Sequence, residues 1–151
     1  MNNNKKVIEK LYNIELKKIE SMMKHNKTTY SDELHKVCKK LFGVKFKGVY
    51  PSDKIPKLND LAPYCILNLD KSDEPGSHWV ALCKMGDGCM FYDSFGRKHT
   101  KIIKSLKFSG NGTIIDTHKD AEQKIRQENC GQRCIAFISI FNKYGTNAKY
   151  I

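Results

Sequence analysis

Nothing in this chain is long and apolar enough to cross a bilayer. The longest apolar run, from Cys134 to Phe141, makes about two helical turns, whereas a span needs roughly 20 residues. The N-terminus, MNNNKKVIEK, lacks the uninterrupted apolar segment of a secretory signal. The chain is therefore expected to be made and used inside a cell, with its six cysteines reduced. None of those cysteines shows the two-residue spacing of a zinc ribbon or knuckle. A zinc site drawing Cys83 and Cys89 to Cys130 and Cys134 stays open as the lesser alternative. Base-reading motifs are absent. So are internal repeats and low-complexity linkers, which leaves one compact unit.

Length agrees with that. At 151 residues the chain suffices for one domain with a real core and is short for two. Its 40% apolar and 28% charged residues are ordinary for a globular protein. The net charge of +11 is not ordinary. Lysines are spread through the first forty residues and basic residues gather again at Arg97, Lys98, Lys101, Lys104 and Lys107. Such a surface attracts polyanions without reading sequence. A Lys- and Asn-rich composition with solvated charges accounts for the same count equally well.

Apolar positions at Val7, Ile8, Leu11, Ile14, Leu16, Ile19 and Met22 or Met23 give Lys5 to Lys24 helical periodicity. This amphipathic helix would pack on the domain or on a partner. His25 to Thr29 is a polar break. Ser31 then reads as an N-cap, with Asp32 and Glu33 in the first turn of a helix that stops at Gly43. The division is thus 1–29, helix and break, and 30–151, the main domain. Gly48, Pro51, Pro56 and Pro63 punctuate the stretch from Val44 to Pro63, read as an ordered loop with one short strand at most. Tyr64 to Leu69 reads as a buried strand, and DKSDEPGS as a turn. Short helical and strand segments are expected around Ile102 to Leu106 and from Gly112 to Asp116.

Two runs, His78 to Lys84 and Gly88 to Phe95, flank Met85-Gly86-Asp87, a hairpin signal. With Met85 opposite Gly88, Val80 falls opposite Asp93 and His78 opposite Phe95. His78 and Asp93 are then diagonal neighbours on one face, roughly 7–8 Å apart at the backbone. A one-residue slip would separate them.

Further on, the polar stretch QKIRQEN runs into Cys130-Gly131 and an apolar run at helical spacing. Cys130 therefore falls where a loop enters a helix that continues to about Tyr144. First-turn N–H groups have no partner inside the helix, and the dipole there favours an anion. The thiolate is the nucleophilic form of cysteine. Gly131 leaves room for an approaching substrate and is free in its backbone angles. A cysteine nucleophile also needs a base, a group that orients the base, and donors for an oxyanion. His78, Asp93 and Gln123 supply candidates for all three. Taken singly they are weak: strand histidines, turn aspartates and loop glutamines are usually structural.

In this order they resemble something specific. The elements HWVAL, YDSFG, and a glutamine seven residues ahead of CGxxC are similar to those of the adenovirus-type maturation cysteine peptidases. These share a clan with the SUMO-deconjugating peptidases. The likeness is strongest to the capsid-maturation proteases of eukaryotic DNA viruses, virophages and related large transposons. FKGVYPSDKIP resembles the family's loop before the first strand, and SDELHKVCKKLFG its first core helix. Coverage runs from about Ser31 onward; the first thirty residues do not match. The resemblance implies an α+β fold, a small mixed β-sheet packed by helices with the nucleophile at the N-terminus of a core helix. It implies Cys130 as nucleophile, His78 as base, Asp93 as its orienting carboxylate, and Gln123 with the Cys130 N–H as oxyanion hole. Trp79 would line or shield the site. Gly131, Asp53 and Asn68 would stand near the cleft. Gln127 and Gln132 are rival glutamines that the spacing disfavours, and Cys134 should face the core.

The resemblance further implies cleavage at glycine-containing sites of viral capsid or core precursors during virion maturation, in host cytoplasm or a viral factory, with the enzyme packaged in the virion. No metal and no required cofactor are expected. Stimulation by DNA through the basic surface is permitted, no membrane is involved, and the chain is expected to be a monomer. The family's disulfide-captured activating peptide has no counterpart cysteine here. Two alternatives remain: a deconjugase of ubiquitin-like modifiers using the same machinery, and a basic nucleic-acid-binding domain without catalysis.

Overall fold

The β-hairpin at Gly86 sets the sheet. In the computed structural model, which describes residues 3–70, 78–118, 121–124 and 127–151, β3 (Trp79–Met85) pairs antiparallel with β4 (Gly88–Tyr92), with Met85 opposite Gly88. Gly86 takes φ +56°, a left-handed angle suited to the first central position of a two-residue hairpin turn. The register is the one the turn predicts. Carried past the last pair, Ala81 with Tyr92, it sets Val80 level with Asp93 and His78 level with Phe95.

On the other side of β3 lies β2 (Tyr64–Asn68), also antiparallel. The outer strands β1 (Phe46–Pro51) and β5 (Ile114–Asp116) join parallel to β2 and β4 respectively. The result is a mixed five-stranded sheet in the order β1-β2-β3-β4-β5. These directions bring the carboxyl ends of β1, β2, β4 and β5 and the start of β3 to one edge. Crevices at such an edge are the usual ligand sites of open sheets.

Strand alternation divides the interior in two. Tyr64, Ile66, Trp79, Ala81, Cys83, Met90 and Tyr92 face a core built with helices α1 (Asn3–Met23), α2 (Ser31–Phe42) and α4 (Cys130–Tyr144). Cys65, Leu67, Val80, Leu82, Cys89 and Phe91 face a smaller one closed by Leu58, Ile103 and Leu106. The last two lie at the end of the short helix α3 (His99–Ile102) and in the 3-10 turn Lys104–Phe108 beyond it. Cys83 and Cys89 therefore lie on opposite faces, which breaks up the four-cysteine zinc set.

Every residue of α4 from Cys130 to Phe141 is buried, so the helix runs between the sheet on one side and α1 on the other. A helix covered all round has no solvent stripe to show in its sequence. α1 is no loose appendage. Its Ile8, Tyr12, Leu16 and Ile19 belong to the main core, and Tyr92 stacks on Phe137 with centroids 4.7 Å apart.

Several expectations shift. Tyr12, at 1% exposure, lies on the buried stripe of α1, whereas Val7 and Ile14 stay 55% and 43% exposed. The N-cap of α2 is Tyr30, without a side-chain cap, and Ser31 is already helical. β1 is a full six-residue strand rather than a fragment within a loop. A further 3-10 turn, Gly145–Tyr150, comes after α4. The expected DKSDEPGS turn lies mostly outside the described residues. Among the described residues, no helix is long and apolar enough to cross a membrane.

Candidate active site

Asp93 comes directly after β4, where the chain turns back: its carbonyl accepts from Gly96 N at 2.8 Å. Its side chain is fully buried, and both oxygens are saturated. Oδ1 accepts from His78 Nε2 at 2.6 Å and from Phe95 N at 3.2 Å. Oδ2 accepts from Arg97 Nε at 2.6 Å and Arg97 N at 3.3 Å. Burial pushes the Asp93 carboxyl up, but the bonds from His78 and Arg97 outweigh it and hold the group below the usual carboxylate range.

His78 immediately precedes β3, and its carbonyl accepts from Leu69 N at 3.0 Å, which ties it to the end of β2. Its ring stacks on Phe95, with centroids 4.8 Å apart. Asp93 occupies Nε2, which leaves Nδ1 for the Cys130 thiol, the group whose proximity also raises the ring's affinity for a proton. Burial lowers the affinity of His78 for its proton. The bond to Asp93 and the nearby Cys130 thiol more than offset that, and its pKa lies above the ordinary histidine value. Cys130 is the first residue of α4 and is 6% exposed. Imidazole and carboxylate are thus hydrogen-bonded at the edge of the sheet, with the thiol at the head of α4 interacting with the same ring.

Gln123, 5% exposed, is held from both ends. Its side-chain oxygen accepts from Ser94 Oγ at 2.5 Å, its backbone N–H donates to the Ser94 carbonyl at 2.9 Å, and its amide donates to the Gln127 carbonyl. A side-chain amide has two N–H donors, so one hydrogen is left over. The rival glutamines face elsewhere. Gln127 Oε1 accepts from Lys124 N at 2.8 Å, while Gln132 is fully buried and donates to the carbonyls of His25 and Lys27.

Trp79 is buried, and its indole N–H donates to the Thr29 carbonyl at 3.2 Å, so it braces the α1–α2 connection beside the site. Asn68 pairs with Trp79 across β2 and β3, and its side chain accepts from Asp70 N at 2.9 Å. Asp53 lies past the end of β1, in a hollow with Leu69 and Ile103. Asp53 and Asn68 lie at the edge of the sheet where His78 enters β3. Cys134 is fully buried in the main core.

Gly131 has a second reason to be glycine. A Cβ there would stand 2.0 Å from Thr29 Oγ1 and 2.9 Å from Leu34 Cδ2. The space expected for substrate is filled by the protein itself. Gly131→Ala should destabilise the fold by about 1–3 kcal/mol through overpacking, seen as a lower midpoint of thermal unfolding.

Sequence reasoning missed Arg97 and Phe95. Arg97 counted only as surface charge, yet its guanidinium grips Asp93 and lies 5.2 Å from the Phe95 ring centroid. The hairpin register already set Phe95 opposite His78, and for Arg97 the signal was its place four residues past Asp93.

Family models give no match to this chain. Over 84 residues it is 37% identical to a protein of Acanthamoeba polyphaga mimivirus named "Putative thiol protease". That similarity is to a viral thiol protease by name. It covers 48% of this chain and only 28% of the mimivirus protein, and the name says nothing of an adenovirus type.

Proposed function

We propose that the chain is a cysteine endopeptidase. The observation that carries this is the buried His78 ring, 2.6 Å from a buried carboxylate and close enough to the thiol that heads α4 for that thiol to raise its affinity for a proton. The similarity to a viral protein named as a thiol protease supports it. In the proposed reaction Cys130 gives its proton to His78 and the thiolate attacks a backbone carbonyl. The Cys130 N–H and the remaining Gln123 amide hydrogen receive the oxyanion. The tetrahedral adduct collapses as the C–N bond breaks, and His78 protonates the departing amine. Water, deprotonated by His78, then hydrolyses the thioester and regenerates the thiol. Throughout, Asp93 keeps the ring oriented and stabilises its charged form.

The proposed substrates are capsid or core precursors of a virus, cut at glycine-containing extended segments, in host cytoplasm or a viral factory. DNA acting on the basic surface is a proposed stimulant rather than a required cofactor. Purified protein under reducing conditions should cut a Gly-Gly-containing capsid segment. A panel of ubiquitin-like modifier fusions, which also present Gly-Gly, separates maturation from deconjugation: preference for the fusions would replace the capsid substrate while keeping the chemistry. Folded protein that cuts neither overturns the peptidase reading. Gln123→Ala should lower kcat by on the order of 10²–10³ in initial-rate measurements.

A further inference from the structure

Arg133 is 8% exposed on α4 and carries a charge into the interior. Such a group is tolerated only where hydrogen bonds replace its water. Its guanidinium is spent on three residues, one in α1 and two in the stretch that leads into α4. Nη1 donates to Tyr12 Oη of α1 at 3.2 Å, Nε to Asn129 Oδ1 at 3.1 Å, and Nη2 reaches Gln127 Oε1 at 3.5 Å. Tyr12 Oη is in turn 2.6 Å from Tyr92 Oη, and Tyr92 reaches Glu122 Oε2 at 3.5 Å.

Two of these partners bear on the proposed oxyanion donors. Gln127 supplies the carbonyl on which the Gln123 amide rests. Asn129 occupies the N-cap position of α4, where an asparagine side chain ordinarily accepts from first-turn N–H groups. Here it makes no cap bond, because its oxygen is committed to Arg133. The positive end of the helix is left without its own neutralising cap.

We infer that Arg133 is a positioning residue for the oxyanion side of the site, holding Gln127 and drawing Asn129 off the helix end, with Tyr12 of α1 fixing the guanidinium. This rests on the peptidase reading. It gives the N-terminal helix a definite job, since Tyr12 belongs to the thirty residues outside the family resemblance.

The test uses Arg133→Lys, which keeps the charge and loses the fork, and Tyr12→Phe, which removes one hydroxyl and preserves packing. Each is measured for kcat and KM on a Gly-Gly peptide, for Cys130 alkylation by iodoacetamide across pH, and for backbone amide exchange at 127–130. For Arg133→Lys, kcat should fall about 10- to 100-fold with KM within about twofold. Tyr12→Phe should move the same way by less. Alkylation should fall far less than kcat, because it needs thiol and imidazole but no oxyanion hole. Exchange at 127–130 should quicken in both variants. Wild-type kcat in a folded Arg133→Lys protein overturns the inference. So does a parallel loss of alkylation, which would place the effect on the dyad or the whole fold. Should wild-type protein cleave nothing, the peptidase reading fails by itself. Unchanged exchange at 127–130 in both variants would separately refute the hold on this segment.

Discussion

Cys130→Ala should abolish turnover, a loss on the order of 10⁵–10⁶ in kcat, while the protein stays folded. The thiol is small and 6% exposed, so alanine leaves only a minor void at the head of α4. His78 keeps its bond to Asp93 and its stack on Phe95, and Gln123 keeps Ser94. Binding should therefore survive and the variant should retain peptide that it does not cut. No other cysteine can take over. Cys38, Cys65, Cys83 and Cys134 are all buried, and burial pushes their thiols far above the ordinary range; that of Cys89 is raised to about 11. Alkylation of wild-type protein should accordingly mark one site, and His78→Ala should suppress it. Turnover by Cys130→Ala within tenfold of wild type would place the nucleophile elsewhere.

What the sequence showed of this site was its local geometry. Gly86 and Asp87 fix a two-residue turn, and a turn of known length sets the register of both strands that leave it. From that single feature His78 and Asp93 could be brought together, and Cys130 could be placed at a helix start by the change from polar loop to apolar run. Contacts between distant segments leave no such trace. Tyr12 and Arg133 are 121 positions apart, and nothing in the local pattern of either helix points to the other. Arg97 was hidden by the same bias, since 27 basic residues make any single one look solvated. Gly131 was read for the space it leaves, but which atoms fill that space, Thr29 and Leu34, is settled by how α1 and α2 dock. β1 was obscured because Gly48 and Pro51 suit loops, and its pairing with β2 overrides that preference.

Asp93→Asn should cost up to on the order of 10⁴ in kcat/KM and move the pH profile as well. The amide offers one acceptor oxygen in place of two, and that oxygen faces competing donors from His78, Arg97 and Phe95. If it turns to Arg97, its NH₂ meets His78 Nε2 and favours the wrong tautomer of the ring. If it turns to His78, its NH₂ meets the guanidinium and repels it. The proton affinity of His78 must fall either way, because Asp93 is the first of the interactions that raise it against burial. In wild type the basic limb of kcat/KM, where the imidazolium loses its proton, should lie above the ordinary histidine value of about 6.5. Asp93→Asn should move that limb to lower pH. Stability carries the opposite sign at the other end of the scale. The lowered pKa of Asp93 contributes stability above its unfolded value, near about 3.9. That contribution is lost as pH falls through the lower folded value. The variant should therefore lose less stability than wild type on acidification below about 4. An Asn variant that kept both the wild-type rate and the wild-type basic limb would reduce Asp93 to a turn residue and leave His78 without a partner in the chemistry.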